Sequence, residues 1–327
     1  MYTVSIPIDG ADRVGEARRR AADVARDAGL DETAAGELAI VVTELANNIW
    51  RHAGGGEMLI TNCGNEYVET LALDKGPGMA DIARCFQDGY STAGSSGTGL
   101  GAVQRLSSHF DIYSAPGKGT ALLARVRRSG AKPFDQHVEV GGVSVPMRGE
   151  TVCGDSFATA DGAALYLMVV DGLGHGPGAA DCASAAVVAF DEADRASPAD
   201  LLREIHGALR TTRGAAVSVA RIDFQSGELR YSGVGNIAGL IRSGDGVKHL
   251  LSHPGIVGHD VRNVRELTYA LPPGSLVLLY SDGIATHWSL SAYEGLLLRD
   301  PSLIAGVIYR DQSRGRDDAT VVAVRSR

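Results

Sequence analysis

Residues 74–79 read DKGPGM, and the run YVETLALD (67–74) leading into them has the composition of a strand. An Asp at a strand end followed by a rigid Pro and two glycines is, taken once, an ordinary turn. The arrangement returns as DGLGHGPG (171–178), again after an apolar run ending in Asp, ALYLMVVD (164–171). Two such clusters point to two separate sites.

Working outward from them, 327 residues with 44% hydrophobic content are enough for two ordinary domains, each with its own core. The net charge of -8, with both signs mixed along the chain, lacks the basic footprint that a nucleic-acid partner requires. The start, MYTVSIPIDG, has no basic region followed by an apolar stretch, and no apolar run approaches the roughly 20 residues that span a bilayer. The expectation is a soluble cytoplasmic protein with no membrane partner. Cys63, Cys85, Cys153 and Cys182 are far apart with no CxxC pair, so they read as thiols in a reducing compartment, not as a zinc site or disulfide framework.

The first hundred residues open on the strand-like YTVSIPI. They continue through Ala- and Arg-rich helical segments to LAIVVTELANNIWRHA, which puts Leu38, Val41, Val42, Leu45 and Ile49 on one broad face. Gly54–Gly56 must end that helix. EMLITNC and YVETLALD follow as a hairpin, and HFDIYSAPGKGTALLARV as another, predicting a helix layer on an antiparallel sheet. RRSGAKPFDQ (127–136) breaks both periodicities and reads as the joint, with domains at 1–130 and 138–327 around a linker at 131–137. Beyond it come strand-like runs such as AAVSVARID, ELRYSGVG, SLVLLYSD and DATVVAVR. Two amphipathic helices interrupt them, the second with Ser197 and Asp200 in capping-box spacing. The fold class is α+β in both halves.

Glu44 and Asn48 lie one turn apart on the long helix. Asp74 ends a strand, and Gly76 and Gly78 permit close approach of backbone to a flat ligand. GSSGTGLG (94–101) then offers a Gly-rich loop into a helix whose free amides suit phosphate oxygens. In this order, ELANN, DKGPGM, GTGLG and GKGT resemble the GHKL (Bergerat) ATP-binding fold, an α/β sandwich. The likeness is specifically to its small bacterial switch kinases of the RsbT and RsbW type, over nearly all of residues 1–130, and DGYST (88–92) is closer to the RsbT branch. The resemblance implies ATP with Mg2+ as cofactor, Asn48 as magnesium ligand and Asp74 as acceptor of the adenine amino group. It further implies Glu44 as the base for the attacking hydroxyl, Thr120 near the adenine, and Gly76, Gly78, Gly97, Thr98, Gly99, Leu100 and Gly101 as the nucleotide cradle. Phosphoryl transfer needs mainly positioning and charge neutralisation, which such a set supplies. His52, as a lone His, reads as structural.

In the second half, Asp155, Asp171, Asp282 and the pair Asp317 and Asp318 stand at strand ends. Two packed sheets can bring them to one edge, where their repulsion demands cations, and hard oxygen ligands suit Mg2+ or Mn2+. This set resembles the metal-dependent Ser/Thr phosphatases in their SpoIIE-like form, with a compact length similar to RsbX-type enzymes, over about residues 138–327. The resemblance implies an α/β/β/α sandwich with two Mn2+ or Mg2+ ions. Asp171 and the Gly172 carbonyl would bridge the ions, and Asp155, Asp282 and one of Asp317 and Asp318 would complete the shells. Analogy with the family's terminal Asp-Asn pattern favours Asp317. Asp171 is then catalytic with Glu44, Cys153 is not needed as nucleophile, His175 is divided between leaving-group acid and loop packing, and Asn236 between site edge and turn.

Kinase and phosphatase domains of these types in one chain imply opposed reactions on STAS-domain regulators in a partner-switching pathway of bacterial stress or sigma-factor signalling. The alternative is a phosphatase whose amino-terminal domain is a nucleotide-dependent binding module for a sigma factor or a STAS protein. Either form can be a monomer or a homodimer.

Overall fold

The computed structural model describes residues 2–64, 66–85, 99–131, 138–194, 197–261 and 263–326. Two compact units divide the chain: Met1–Phe134 with Tyr293–Arg310, and Asp135–Ala292 with Asp311–Arg327. Two consecutive domains are not the whole partition, however, because residues 293–310 cluster with the amino-terminal unit. Residues 132–137 of the expected linker, like Gly97, Thr98 and the DGYST run, lie outside the described residues.

In the first unit, β1 (Tyr2–Ile8), β2 (Gly56–Asn62), β3 (Tyr67–Asp74), β4 (His109–Ser114) and β5 (Thr120–Arg127) form an antiparallel sheet in the order β1-β2-β3-β5-β4. Both hairpins legible in the sequence are present, with Asn62 opposite Val68 and Ser114 opposite Thr120. On one face lie α1 (Ala11–Asp27), α2 (Glu32–Asn48), the short α3 (Ile82–Cys85) and α4 (Gly99–Leu106). Asp31 caps α2 by accepting from the Ala34 amide at 2.9 Å. Leu38, Val41, Val42, Leu45 and Ile49 are all buried, packed with Met58, Ile60, Ala72, Leu122 and Ala124 from the sheet. The helix passes into one turn of π-helix, Ile49–Ala53, and Gly54 stops it in the left-handed region at φ 72°.

Strand alternation sends Leu71, Leu73, Glu69, Leu123 and Arg125 to the opposite face, and these too are buried. Residues 293–310 lie there. Gly306, lacking a Cβ, comes against the Leu71 and Leu73 side chains. The Arg125 guanidinium donates to Glu69 Oε2 at 2.7 Å and to both Asp300 oxygens at 3.0 Å. Ser302 Oγ donates to Glu69 at 2.8 Å, His109 Nε2 meets Asp300 at 2.9 Å, and the Asp300 amide donates to Asp111 at 2.8 Å. Burial pushes the Glu69 carboxyl up, opposed by Arg125. Burial acts the same way on Asp300, but the His109 hydrogen bond and Arg125 outweigh it and hold Asp300 below the usual carboxylate range.

The second unit stacks two antiparallel sheets. One, in the order β13-β10-β9-β8-β7, contains β7 (Asp155–Ala160), β8 (Leu165–Gly172), β9 (Ala215–Asp223), β10 (Glu228–Val234) and β13 (Leu267–Ala270). The other, in the order β12-β11-β14-β15-β6, contains β6 (Val138–Val145), β11 (Ala238–Ser243), β12 (Gly246–Leu250), β14 (Leu276–Tyr280) and β15 (Ala319–Ser326). On β8, Leu165, Leu167 and Val169 face the second sheet, in a core with Ile241, Val277, Leu279 and Val322. Tyr166, Met168 and Val170 instead meet Cys182, Phe190, Leu201 and Ile205 of α5 (Pro177–Glu192) and α6 (Pro198–Ala208). Both faces of β8 are thus covered, which is why it reads as a continuous apolar run. Ser197 caps α6, accepting from the Asp200 amide at 3.1 Å. The last helix, α7 (Pro301–Gln312), spends residues 301–310 in the first unit.

Replacing Arg125 by Met should strand two buried carboxylates and cost about 3–5 kcal/mol of first-unit stability. Urea unfolding followed by Trp50 fluorescence in a Trp288→Phe background checks this. A loss under about 1 kcal/mol would remove the network from the list of large single-residue effects.

Candidate nucleotide and metal sites

The first site assembles where α2, the end of β3 and the start of β5 converge. Glu44 is half-buried, and its carboxylate lies against Gly99, where a Cβ would stand 2.5 Å from Oε2, so a side chain at the first residue of α4 would displace that carboxylate. One turn on, the Asn48 Nδ2 is buried without a hydrogen-bond partner among the described residues. An unpaired buried amide is costly, and a ligand would satisfy it. Asp74 Oδ1 accepts from the Gly76 amide at 2.8 Å and the Thr120 amide at 3.1 Å, which ties the end of β3 to the start of β5. Close approach explains the other glycines: a Cβ on Gly78 would collide with the Ala115 carbonyl, and one on Gly119 with the Asp74 carbonyl. Burial pushes the Asp74 carboxyl up, and the two amides, Arg310 and His52 pull it back. Gly101 is buried in α4, and Leu100 packs on the core.

The second site sits at the ends of β7, β8 and β15 and just after β14. Asp155 faces Asp171 across the β7–β8 ladder, and the Gly172 amide donates to Gly154 O at 3.0 Å. Burial, then Asp282, Asp317 and Asp318, push the Asp171 carboxyl up to about 7, while burial and Asp171 drive Asp155 well above its ordinary range. The Ser281 and Thr320 hydroxyls hydrogen-bond to the Asp155 carboxyl, but among the described residues its Oδ2 is buried without a partner. Asn236 Nδ2 donates to Asp282 Oδ2 at 2.6 Å, giving this Asn a place at the site.

The terminal pair divides. Asp318 is buried and has both oxygens committed, Oδ1 to the Met147 amide at 2.6 Å and Oδ2 to the Gly154 amide at 2.7 Å, whereas Asp317 is half-buried. Among the described residues no three of the acidic, His or Cys side chains are drawn together tightly enough to enclose an ion. Mutual repulsion opposes such closure, and in sites of this chemistry water completes the shell. Four repelling carboxylates and an orphaned buried oxygen fit divalent cations. His175 pairs through Nδ1 with Glu150 Oε1 at 2.7 Å at the exposed rim. Sequence reasoning missed Glu150, whose partner is distant in sequence, and Arg310, which donates to the Asp74 carbonyl at 2.8 Å.

The fold defines a kinase-like ATPase domain and a phosphatase domain in one chain. The family described as Stage II sporulation protein E (SpoIIE) matches residues 161–327, and the histidine kinase-like ATPase domain family matches residues 9–126. The chain belongs to the SpoIIE family through its second half and to the histidine kinase-like ATPase family through its first. The serine/threonine-protein kinase RsbT of Bacillus subtilis is 34% identical over 111 residues, which cover 33% of this chain and 84% of that protein. The phosphoserine phosphatase RsbX of the same organism is 25% identical over 152 residues, 46% of this chain and 76% of that protein. A crystal structure of RsbX in complex with magnesium superposes with a TM-score of 0.53 at 22% identity, covering 60% of this chain and 98% of that one, a likeness of fold. The chain is therefore a partner-switching-type regulator with an RsbT-like domain and a phosphatase domain. No helix among the described residues is long and apolar enough to cross a membrane.

The Asp171 shift has a testable sign. Its folded-state value near 7 exceeds the unfolded value of about 3.9, so ionisation opposes folding and metal-free stability falls as pH rises from about 4 to 7. The metal-free protein should melt higher at pH 5.5 than at pH 8, Asp171→Asn should flatten that difference, and saturating Mn2+ should raise the pH 8 melting temperature in the wild type more than in the variant. Calorimetric scans with and without chelator measure all three.

Proposed function

We propose that the chain is a bifunctional switch: its first domain is an ATP-dependent Ser/Thr protein kinase and its second removes phosphate from phosphoserine or phosphothreonine. The substrates of both are STAS-domain regulators in bacterial stress or sigma-factor signalling. The observation that carries the kinase half is Glu44, a carboxylate held at the first turn of α4, with the Asn48 amide, unpartnered among the described residues, one turn away. A module that only docked a partner through nucleotide would have no use for a base there. In this reading Asn48 holds Mg2+, Asp74 accepts from the adenine amine, the glycines from Gly76 to Gly101 approach the nucleotide, and Glu44 takes the proton of the attacking hydroxyl.

In the second domain Asp155, Asp171, the Gly172 carbonyl, Asp282 and Asp317 would hold two Mg2+ or Mn2+ ions. The commitment of both Asp318 oxygens to backbone amides favours Asp317 as ligand and leaves Asp318 to position the 147–154 segment. Bound there, the ions would supply Lewis acidity and acidify water for in-line hydrolysis. Asn236 orients Asp282, and the Glu150–His175 pair places an imidazole at the rim, where it can hand a proton to the leaving alkoxide.

With labelled ATP and a candidate STAS protein, label should accumulate in the partner with Asp171→Ala, whose phosphatase is disabled. It should drop about 10²–10⁴-fold in rate when Glu44→Ala is added, with ATP binding retained. If neither variant labels any partner yet both bind one tightly with ATP, the first domain is a docking module and the kinase half of the proposal falls.

A further inference from the structure

The residue that completes the nucleotide site is supplied from the far end of the chain. Arg310 Nη1 donates to the Asp74 carbonyl at 2.8 Å and to the Thr120 carbonyl at 3.4 Å. These are the same two segments that Asp74 Oδ1 joins from the other side by accepting from the Gly76 and Thr120 amides. The junction of β3 and β5 is therefore clamped twice, once through its amides by a carboxylate and once through its carbonyls by a guanidinium. Asp74 Oδ1 is used up in this, while Oδ2 has no donor among the described residues and stays free to accept from a ligand amine. Its direction depends on the main chain that Arg310 holds.

We propose that Arg310 is a positioning residue of the nucleotide site, fixing the Asp74 and Thr120 main chain so that Asp74 Oδ2 is presented to the exocyclic amine of an adenine nucleotide. This rests on the reading of the first domain as a nucleotide site. Arg310 lies within residues 161–327, the stretch matched by the phosphatase family, so a switch-kinase domain ending near residue 130 does not contain it. The segment around it is anchored independently. Tyr309 Oη donates to Glu57 at 3.1 Å, Gly306 meets Leu71 and Leu73, and Asp300 and Ser302 join the Arg125–Glu69 network. A guanidinium on a helix packed at three further points is held in place before the nucleotide arrives, and such preorganisation raises affinity.

Charge gives the proposal a signature that a purely structural role lacks. The groups facing Asp74 are Arg310 and His52, with its exposed neighbour Lys75. Burial pushes the Asp74 carboxyl up, and Arg310 is one of the groups that opposes this. Acceptance from the amine requires the ionised form, so nucleotide affinity is present above the Asp74 titration and lost as pH falls through it. Removing the Arg310 charge moves that loss to higher pH.

The test is titration calorimetry of the full chain with Mg2+ and ADP, using GDP for comparison, from pH 5 to pH 8. Arg310→Gln should bind ADP about 10-fold more weakly at pH 7.5, lose affinity at higher pH than the wild type, and discriminate less against GDP, with Arg310→Lys in between. Asp74→Asn reports on the underlying site: if the wild type binds neither ADP nor ATP, the nucleotide reading falls and this inference with it. If Asp74→Asn weakens binding but Arg310→Gln matches the wild type in affinity and pH profile, the Arg310 assignment alone is overturned. Should Arg310→Gln fail to fold by circular dichroism, Arg310→Lys carries the decision. It keeps the charge but lacks the planar guanidinium whose Nη1 meets both carbonyls, and wild-type affinity and GDP discrimination in that variant would overturn the assignment.

Discussion

A carboxylate carried out of water at the end of a strand must be given donors or cations, and both sites of this chain are solutions to that constraint. At the end of β3 the solution is internal: two backbone amides, Arg310 and His52 offset part of the burial of Asp74. Around the ends of β7, β8 and β15 two backbone amides serve Asp318, yet burial still leaves Asp155, Asp171, Asp282 and Asp318 with raised affinities for protons. The first arrangement leaves one oxygen to read a ligand. The second leaves a set of oxygens that a proton or a divalent ion must compensate.

The same constraint organises the second face of the first sheet. Arg125 and Glu69 on central strands would be a poor choice for a buried surface if they had only each other. Asp300, Ser302 and His109 complete a network in which each charge has several partners, the condition under which a buried ion pair is tolerated. Residues 293–310 are thus held by specific polar pairing as well as by the Gly306 contact. Such pairing fixes the register of a helix on a sheet more tightly than apolar contact does, and that register decides where Arg310 falls.

Much of the fold was legible because the signals are local. The hairpins around DKGPGM and GKGT, the apolar face of α2, the Ser197 cap and the strand that ends in Asp171 all rest on residues within a few positions of one another. Strands β6 and β11–β13 carried weaker signals. In β6, VEVGGVSV breaks alternation with glycines, and Gly142 is required because Phe157 from β7 occupies the space a side chain would need. The placement of 293–310 was not legible as a domain assignment. Its trace was TALLARVR, buried along nearly its whole length, which implies cover on both faces of β5 without naming what covers it.

The sequence by itself determined the candidate residues and their order along the chain: an acid and an amide on a helix, Asp-Gly turns after apolar strands, and a terminal Asp pair. Periodicity and turn chemistry act over short separations, so these features survive reading one residue at a time. Only the tertiary structure decided that Asp318 is tied to two amides while Asp317 is not, that Asn236 orients Asp282, that Glu150 holds His175, and that Arg310 belongs to the site of Asp74. Each of these depends on a hydrogen bond between residues tens to hundreds of positions apart, including the two that tie Asp318 to the Met147 and Gly154 amides.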